Sequence, residues 1–273
     1  MTEGILYIAF GEKYHSEAQR SISSLRRVSP SLRIAVIGDV EWGGPDQPDI
    51  FIRQDPILSF ACKPRYMYET PFESTLFLDT DTVVARDVSE LFGLLKWYDF
   101  GVLFGGPQLN EPDGLRFHTQ CSSGVVLFKK NEHVQGLFTL WRDEYSKYCA
   151  AVRGERTASS KKGVPDQRSL SIAIAKSNVR PVHLAEYLNY SLFTSIITYS
   201  PPLIYHGRFP EMEKLDWVIS RNWDNVEDYA PRLWLQNIRG ILPNGIRRSD
   251  PLLGLALVLR RVANLMKYKY FVR

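Results

Sequence analysis

In the segment TLFLDTDTVV, residues 75–84, two aspartates, Asp79 and Asp81, stand one residue apart directly after an apolar, β-prone run. Two carboxylates at that spacing repel and raise each other's pKa unless something positive sits between them. Their oxygens suit a hard divalent cation, Mg2+ or Mn2+, which commonly also holds phosphate oxygens. A solvated acidic turn is the bland alternative, because short motifs often misfire. What surrounds the pair has to decide.

With 273 residues, 44% of them hydrophobic and 12% aromatic, the chain can bury one large core, or a core with a small appendage, and is not a disordered chain. Cys62, Cys121 and Cys149 show no CxxC spacing, which points away from zinc or redox work and toward reduced, packed thiols. The opening MTEGILYIAF carries an acid at Glu3, no basic run and an apolar stretch of only about six residues, too short for a signal peptide or a span. A cytoplasmic location is the expectation.

Apolar and polar runs alternate as they do in an α/β sheet. Residues 4–10 read as a strand, 16–28 as a helix and 32–38 as the next strand, a βαβ unit. A short strand follows at 49–54, a helix at 62–70 broken early by Pro64, and a buried strand at 74–79 that ends on the acidic pair. DVSELFGLLK reads as a capped helix, FGVLFGG and residues 123–130 as strands, and Glu132 to about Cys149 as a helix. The polar stretch 153–163 reads as a surface loop, a helix follows PDQ at 165–167, and strands fall near 178–183 and 202–206. No internal repeat is present. The pair thus lies at the carboxyl end of a central strand, where ligands bind in open α/β sheets, with Thr80 turned toward the core. As loop acids, both are expected to be removable without unfolding the protein.

Taken in order, YMYETPFESTLFLDTDTVV with DVSELF, SSGVVLFKKN, PDQRSL and IYHGR resemble the nucleotide-sugar glycosyltransferases of the GT-A fold, the glycogenin and bacterial galactosyltransferase-like group above all, over roughly residues 4–210. The resemblance implies a Rossmann-like, mixed but mainly parallel sheet flanked by helices over residues 1–238, and retention of configuration at the transferred sugar. It implies that Asp79, Asp81 and His206 bind Mn2+ (or Mg2+), which bridges the donor's two phosphates. His206 lies about 125 residues beyond the pair, and taken alone would serve equally as a core histidine at a strand end. Lys63, Arg65 and Arg208 are candidates to neutralise phosphates, with surface or structural roles open to each.

The resemblance further places Ala9, Phe10 and Gly11 near the base and ribose, with Tyr14 as a stacking ring, and counts Thr80 in the donor-binding set. Ser122, Ser123 and Gly124 stand where the family touches the donor sugar. Ser122 takes the place of the family's usual asparagine, which leaves the sugar open. Asp166 and Gln167 match a pair that faces the sugar and the reacting carbon, although Asp166 is equally well placed to cap the helix that follows it.

Two other readings fit parts of the sequence. LFLDTDTVV also fits the opening motif of haloacid dehalogenase-like, Mg2+-dependent phosphatases, in which the first Asp is a nucleophile. That family needs a later strand ending in a second acidic pair, and the strand ending at Asp39 lies upstream instead. An inactive sugar-nucleotide binding module fits the altered Ser122 position. No GxGxxG follows the first strand, which argues against NAD.

The net charge of +4 is uneven: residues 239–273 hold eight basic residues against Asp250 alone, so this tail carries +7 and the preceding 238 residues carry −3. Within it, Leu252, Leu255, Ala256, Leu259, Val262, Ala263 and Met266 share one helical face beside Arg260 and Arg261. The run is too short to span a bilayer. It suits a lid on the body or, slightly better, a peripheral helix on an anionic membrane, where a glycan or lipid-linked acceptor for surface glycan synthesis would be met. No nucleic acid is expected as a partner.

Overall fold

A computed structural model describes residues 2–44, 46–109, 115, 118–155, 164–189 and 202–207. The chain divides into two units, 1–209 and 210–273, and everything described lies in the first. The expected appendage 239–273, Arg208 and residues 156–163 lie outside the described residues. No helix among the described residues is long and apolar enough to cross a membrane.

The chain runs β1 (Glu3–Ala9), α1 (Glu12–Val28), β2 (Arg33–Gly38), β3 (Ile50–Arg53), α2 (Cys62–Tyr66), β4 (Ser74–Leu78), β5 (Thr82–Val84), β6 (Phe100–Gln108), β7 (Thr119–Lys129), α3 (Glu132–Glu155), α4 (Gln167–Lys176), β8 (Pro181–His183) and β9 (Ile204–His206). Seven strands form one sheet in the order β3-β2-β1-β4-β7-β6-β8. All neighbours are parallel except at β7, which runs antiparallel to both β4 and β6. The architecture is the mixed, mainly parallel α/β sheet that the sequence implies.

Apolar runs such as ILYIAF arise because both faces of the sheet are covered. Along β1, Ile5, Tyr7 and Ala9 face α1 with its Ala18, Ile22 and Leu25. Leu6 and Ile8, with Phe10 just beyond the strand, face the other way, into a core built with Phe138 and Trp141 of α3 and Leu170 of α4. All these side chains are buried, and alternation along the strand sorts them between two cores.

The structure corrects several boundaries. Helix α1 starts at Glu12, four residues earlier than its pattern suggests, because Gly11 at φ +82° turns the chain sharply out of β1. Pro64 does not break α2: it sits in the first turn, where its missing N–H removes no helical hydrogen bond. The segment Ser89–Lys96 is a 3-10 helix whose entry is fixed by Asp87, which accepts from the Ser89 N–H at 3.0 Å. Helix α3 runs on through Arg153 to Glu155. Strand β7 begins at Thr119, and β5 pairs antiparallel with β9 in a separate ribbon that sets Thr82 opposite His206.

Candidate metal and donor site

The strand order turns between β1 and β4, and the carboxyl ends of strands at such a turn are where open α/β sheets form their ligand crevice. Leu76 and Leu78 of β4 face α1 while Phe77 faces the opposite core. Asp79 prolongs the ladder by donating its N–H to Gly124 O of β7 at 2.8 Å. Its carboxylate meets Lys63 of α2, whose Nζ is 2.7 Å from Oδ1 and 2.8 Å from Oδ2. Lys63 is buried, and its Nζ also donates to Ser123 Oγ at 3.2 Å. Burial works against both charges, yet mutual attraction wins: the Asp79 carboxyl falls to about 2, and Lys63 is held above the ordinary lysine range.

The β5–β9 ribbon delivers His206 to the same place. Its Nε2 lies 3.4 Å from Asp79 Oδ2 and 3.4 Å from Asp81 Oδ1, and the three ligand atoms are all within 4.8 Å of one another. On the far side of the ring, Nδ1 is 2.8 Å from Asn189 Oδ1, and Asn189 Nδ2 donates to Ser122 Oγ at 2.8 Å. With the Asn189 nitrogen engaged by Ser122, its oxygen accepts from Nδ1–H, so Nε2 of neutral His206 presents a lone pair to two carboxylates. That face needs a positive charge. A proton is one source: burial opposes protonation, but the hydrogen bonds and charges of Asp79 and Asp81 push His206 up to about 9. A divalent cation would supply it better, and the donor set of two carboxylates and one imidazole fits Mn2+ or Mg2+. Gly124 leaves the room: a Cβ built there would fall inside the His206 ring.

Asp166 stands at the N-cap position of α4 but makes no cap hydrogen bond with its side chain. It is 1% exposed and its Oδ2 has no partner. Its backbone is fixed instead, the carbonyl accepting from Leu170 N at 3.0 Å, Ser169 Oγ at 2.7 Å and Trp141 Nε1 at 3.3 Å. Burial raises the Asp166 carboxyl above the ordinary range; the charge of Lys63 opposes this and that of Asp79 reinforces it. Gln167 beside it is exposed.

The other residues singled out from sequence separate into two groups. Ser122, Ser123 and Gly124 lie in β7 against the cluster of Asp79, Asp81 and His206, as described. Ala9 and Phe10 are buried at the end of β1, with Phe10 against Tyr66 at 5.5 Å between ring centroids, so their side chains face the core. Gly11 opens on free space, and Tyr14 is 39% exposed in the first turn of α1. Arg65 points outward, stacked on Tyr66 and 3.6 Å from Glu69. Thr80 is buried with its hydroxyl donating to Glu17 Oε2 at 3.0 Å, on the α1 side and away from the crevice. Asp79 is no free loop acid: removing it would leave Lys63 buried without its ion-pair partner, so an undisturbed fold is no longer expected of its removal.

Sequence reasoning missed Asn189, whose role appears only once β9 is placed, and Asp39, whose Oδ1 accepts from Gly11 N at 2.7 Å and braces the β1–α1 turn. The only signal for Asp39 was its place at the end of an apolar strand.

No protein-family model and no curated protein sequence matches the chain. Solved structures do. The galactosyltransferase LgtC in complex with donor and acceptor sugar analogues superposes with a TM-score of 0.51 at 14% identity, covering 76% of this chain and 87% of LgtC. The glycosyltransferase GlyE of Streptococcus pneumoniae TIGR4 gives 0.53 at 16% identity over 80% of this chain and 61% of its own. Mouse xyloside xylosyltransferase 1 gives 0.50 at 11% identity over 76% of this chain and 98% of its own. The chain has the GT-A glycosyltransferase fold.

Proposed function

We propose that the protein is a metal-dependent glycosyltransferase that moves a sugar, a hexose in the first instance, from a nucleoside diphosphate donor to a glycan or lipid-linked acceptor. The observation that carries this reading is the convergence of Asp79, Asp81 and His206 at the crevice end of β4, on a fold whose solved examples include an enzyme bound to donor and acceptor sugar analogues.

Each neighbouring group has work consistent with it. Asp79, Asp81 and His206 would hold a Mn2+ or Mg2+ ion, which would supply positive charge against a departing diphosphate. Lys63 keeps Asp79 ionised and adds a fixed positive charge at the crevice wall. Asn189 fixes the His206 ring so that Nε2 faces the acids. Asp166, buried with an unpaired oxygen, is suited to meet sugar hydroxyls that would satisfy it. The phosphatase reading has no such support, because the solved structures that share the fold are glycosyltransferases.

A thermal-shift screen of nucleoside diphosphates and their sugars, with and without Mn2+, tests the proposal. At a hundredfold excess over Kd, a true donor raises Tm by roughly 5–10 °C, and only when the metal is present. Turnover of that donor separates an enzyme from a binding module. The proposal fails if no nucleoside diphosphate or sugar donor shifts Tm with any divalent cation.

A further inference from the structure

Helix α1 has a buried polar stripe that packing alone does not explain. Glu17, Ser21 and Ser24, at i, i+4 and i+7, are 6%, 0% and 1% exposed. They face alternate residues of the acidic turn and β5: Thr80, Thr82 and Val84. The helical and strand periodicities coincide over this short length, so each residue of the stripe meets one residue of the other row.

The hydrogen bonds have a definite direction. Thr82 Oγ1 donates to the carbonyl of Asp79 at 2.8 Å, so it accepts from Ser21 Oγ at 2.7 Å. Ser21 Oγ, having given its proton, accepts from Tyr7 OH at 2.9 Å. Burial, which raises Tyr7 well above the ordinary range, keeps that phenol a donor. One chain of hydroxyls therefore runs from the middle of the core to the backbone of the first acid. Beside it, Thr80 donates to Glu17 at 3.0 Å, which turns the residue between the two acids inward and leaves Asp79 and Asp81 facing His206. Ser24, one turn further, accepts from Val84 N at 2.9 Å, beyond the ligands.

We propose that Glu17 and Ser21 of α1, acting through Thr80 and Thr82, are positioning residues that hold the two aspartates at ligand spacing before any cation arrives. The proposal rests on the metal-site reading above. Preorganisation of this kind lets binding proceed without first ordering two repelling carboxylates, and losing an outer partner of a ligand commonly lowers metal affinity about 10–100-fold.

Mn2+ affinity of the donor-free protein, measured by calorimetry or electron paramagnetic resonance alongside Tm, tests it. Thr82→Val should weaken Mn2+ binding by about tenfold or more, and Thr82→Ser, which keeps the hydroxyl, should restore most of the loss. Glu17→Gln should bind better than Glu17→Leu, because the amide oxygen can still accept from Thr80. Ser24→Ala should lower Tm while leaving affinity unchanged. The proposal is overturned if Thr82→Val binds Mn2+ like the wild type despite a lowered Tm, or if Ser24→Ala weakens binding as much as Thr82→Val. If Thr82→Val does not fold, Thr80→Val, which breaks only the Glu17 bond, takes its place. Should the wild type bind no divalent cation, the metal reading fails, and metal-free crystal structures decide the positioning role: an Asp79–Asp81 spacing kept in Thr82→Val rejects it, and one lost there sustains it.

Discussion

Asp99 and Asp79 are both acids with lysine partners at opposite ends of the sheet, and they differ in how completely they are satisfied. Asp99, 1% exposed, receives Asn131 Nδ2 and Arg180 N at 3.0 Å, Arg180 Nε and Lys129 Nζ at 3.1 Å, and Arg180 Nη2 at 3.2 Å. Burial works against its charge, yet Arg180 and Lys129 hold its carboxyl well below the usual range. Nothing is left for a ligand to do. Around Asp79 the balance is reversed: Asp79, Asp81 and Asp166 are set against Lys63 and a histidine that is charged only if protonated, and one Asp166 oxygen lacks any partner. A closed cluster holds a fold together, whereas an open one has polar capacity left to bind a partner.

The largest effect should separate the two ends outright. Asp81→Ala is expected to weaken Mn2+-dependent donor binding and turnover by about a hundredfold or more with little change in Tm. Equal donor binding by variant and wild type in titration calorimetry would erase the distinction. Asp166→Asn sharpens it: turnover should fall by about a hundredfold while Tm holds or rises, because a buried carboxyl with an unsatisfied oxygen is replaced by an uncharged amide. Its raised pKa means that the native state binds the proton more tightly, so Asp166 reduces stability as pH climbs through the native value, and the variant should lack that loss. A variant with full turnover would leave Asp166 only a structural place at the head of α4.

Asp99→Ala should do the opposite, costing about 2–3 kcal/mol in chemical denaturation and leaving Mn2+ affinity unchanged. The smallest effect is graded. With His206 at about 9, protonation competes with the metal, so Mn2+ affinity should rise by about tenfold per pH unit below that value and level off above it, with one proton released on binding. In the metal-free protein the sign differs: the raised pKa stabilises the fold fully below the unfolded value of about 6.5, and this is lost as pH rises through about 9. A flat affinity profile between pH 6 and 9 would remove His206 from the ligand set.

The alternation of strands and helices was legible because strands covered on both faces are written as unbroken apolar runs, as in ILYIAF and RIAVIG. The reversal of β7 was not, since SGVVLFKK reads the same in either direction of pairing. Asp79 and Asp81 were legible because they are neighbours in sequence, and His206 became so only through the order of motifs around it. The stripe of Glu17, Ser21 and Ser24 stayed hidden for a simple reason: glutamate and serine in SEAQRSISS look solvent-facing until the turn they hold is placed against them. Pro64 misled because its effect depends on its position within a helix, not on its presence.

The pairing of Thr82 with His206 has a consequence for how the molecule assembles. Contacts between residues so distant along the chain are the slowest to gain and the costliest in loop-closure entropy, so the ligand set is expected to be completed late, after β1, α1, β2 and β4 have found one another. A partly folded chain would carry the two aspartates without the histidine and hold a cation poorly. Metal occupancy would then report that folding has run to its end, and withdrawing the metal would loosen the β5–β9 ribbon before it touched the sheet.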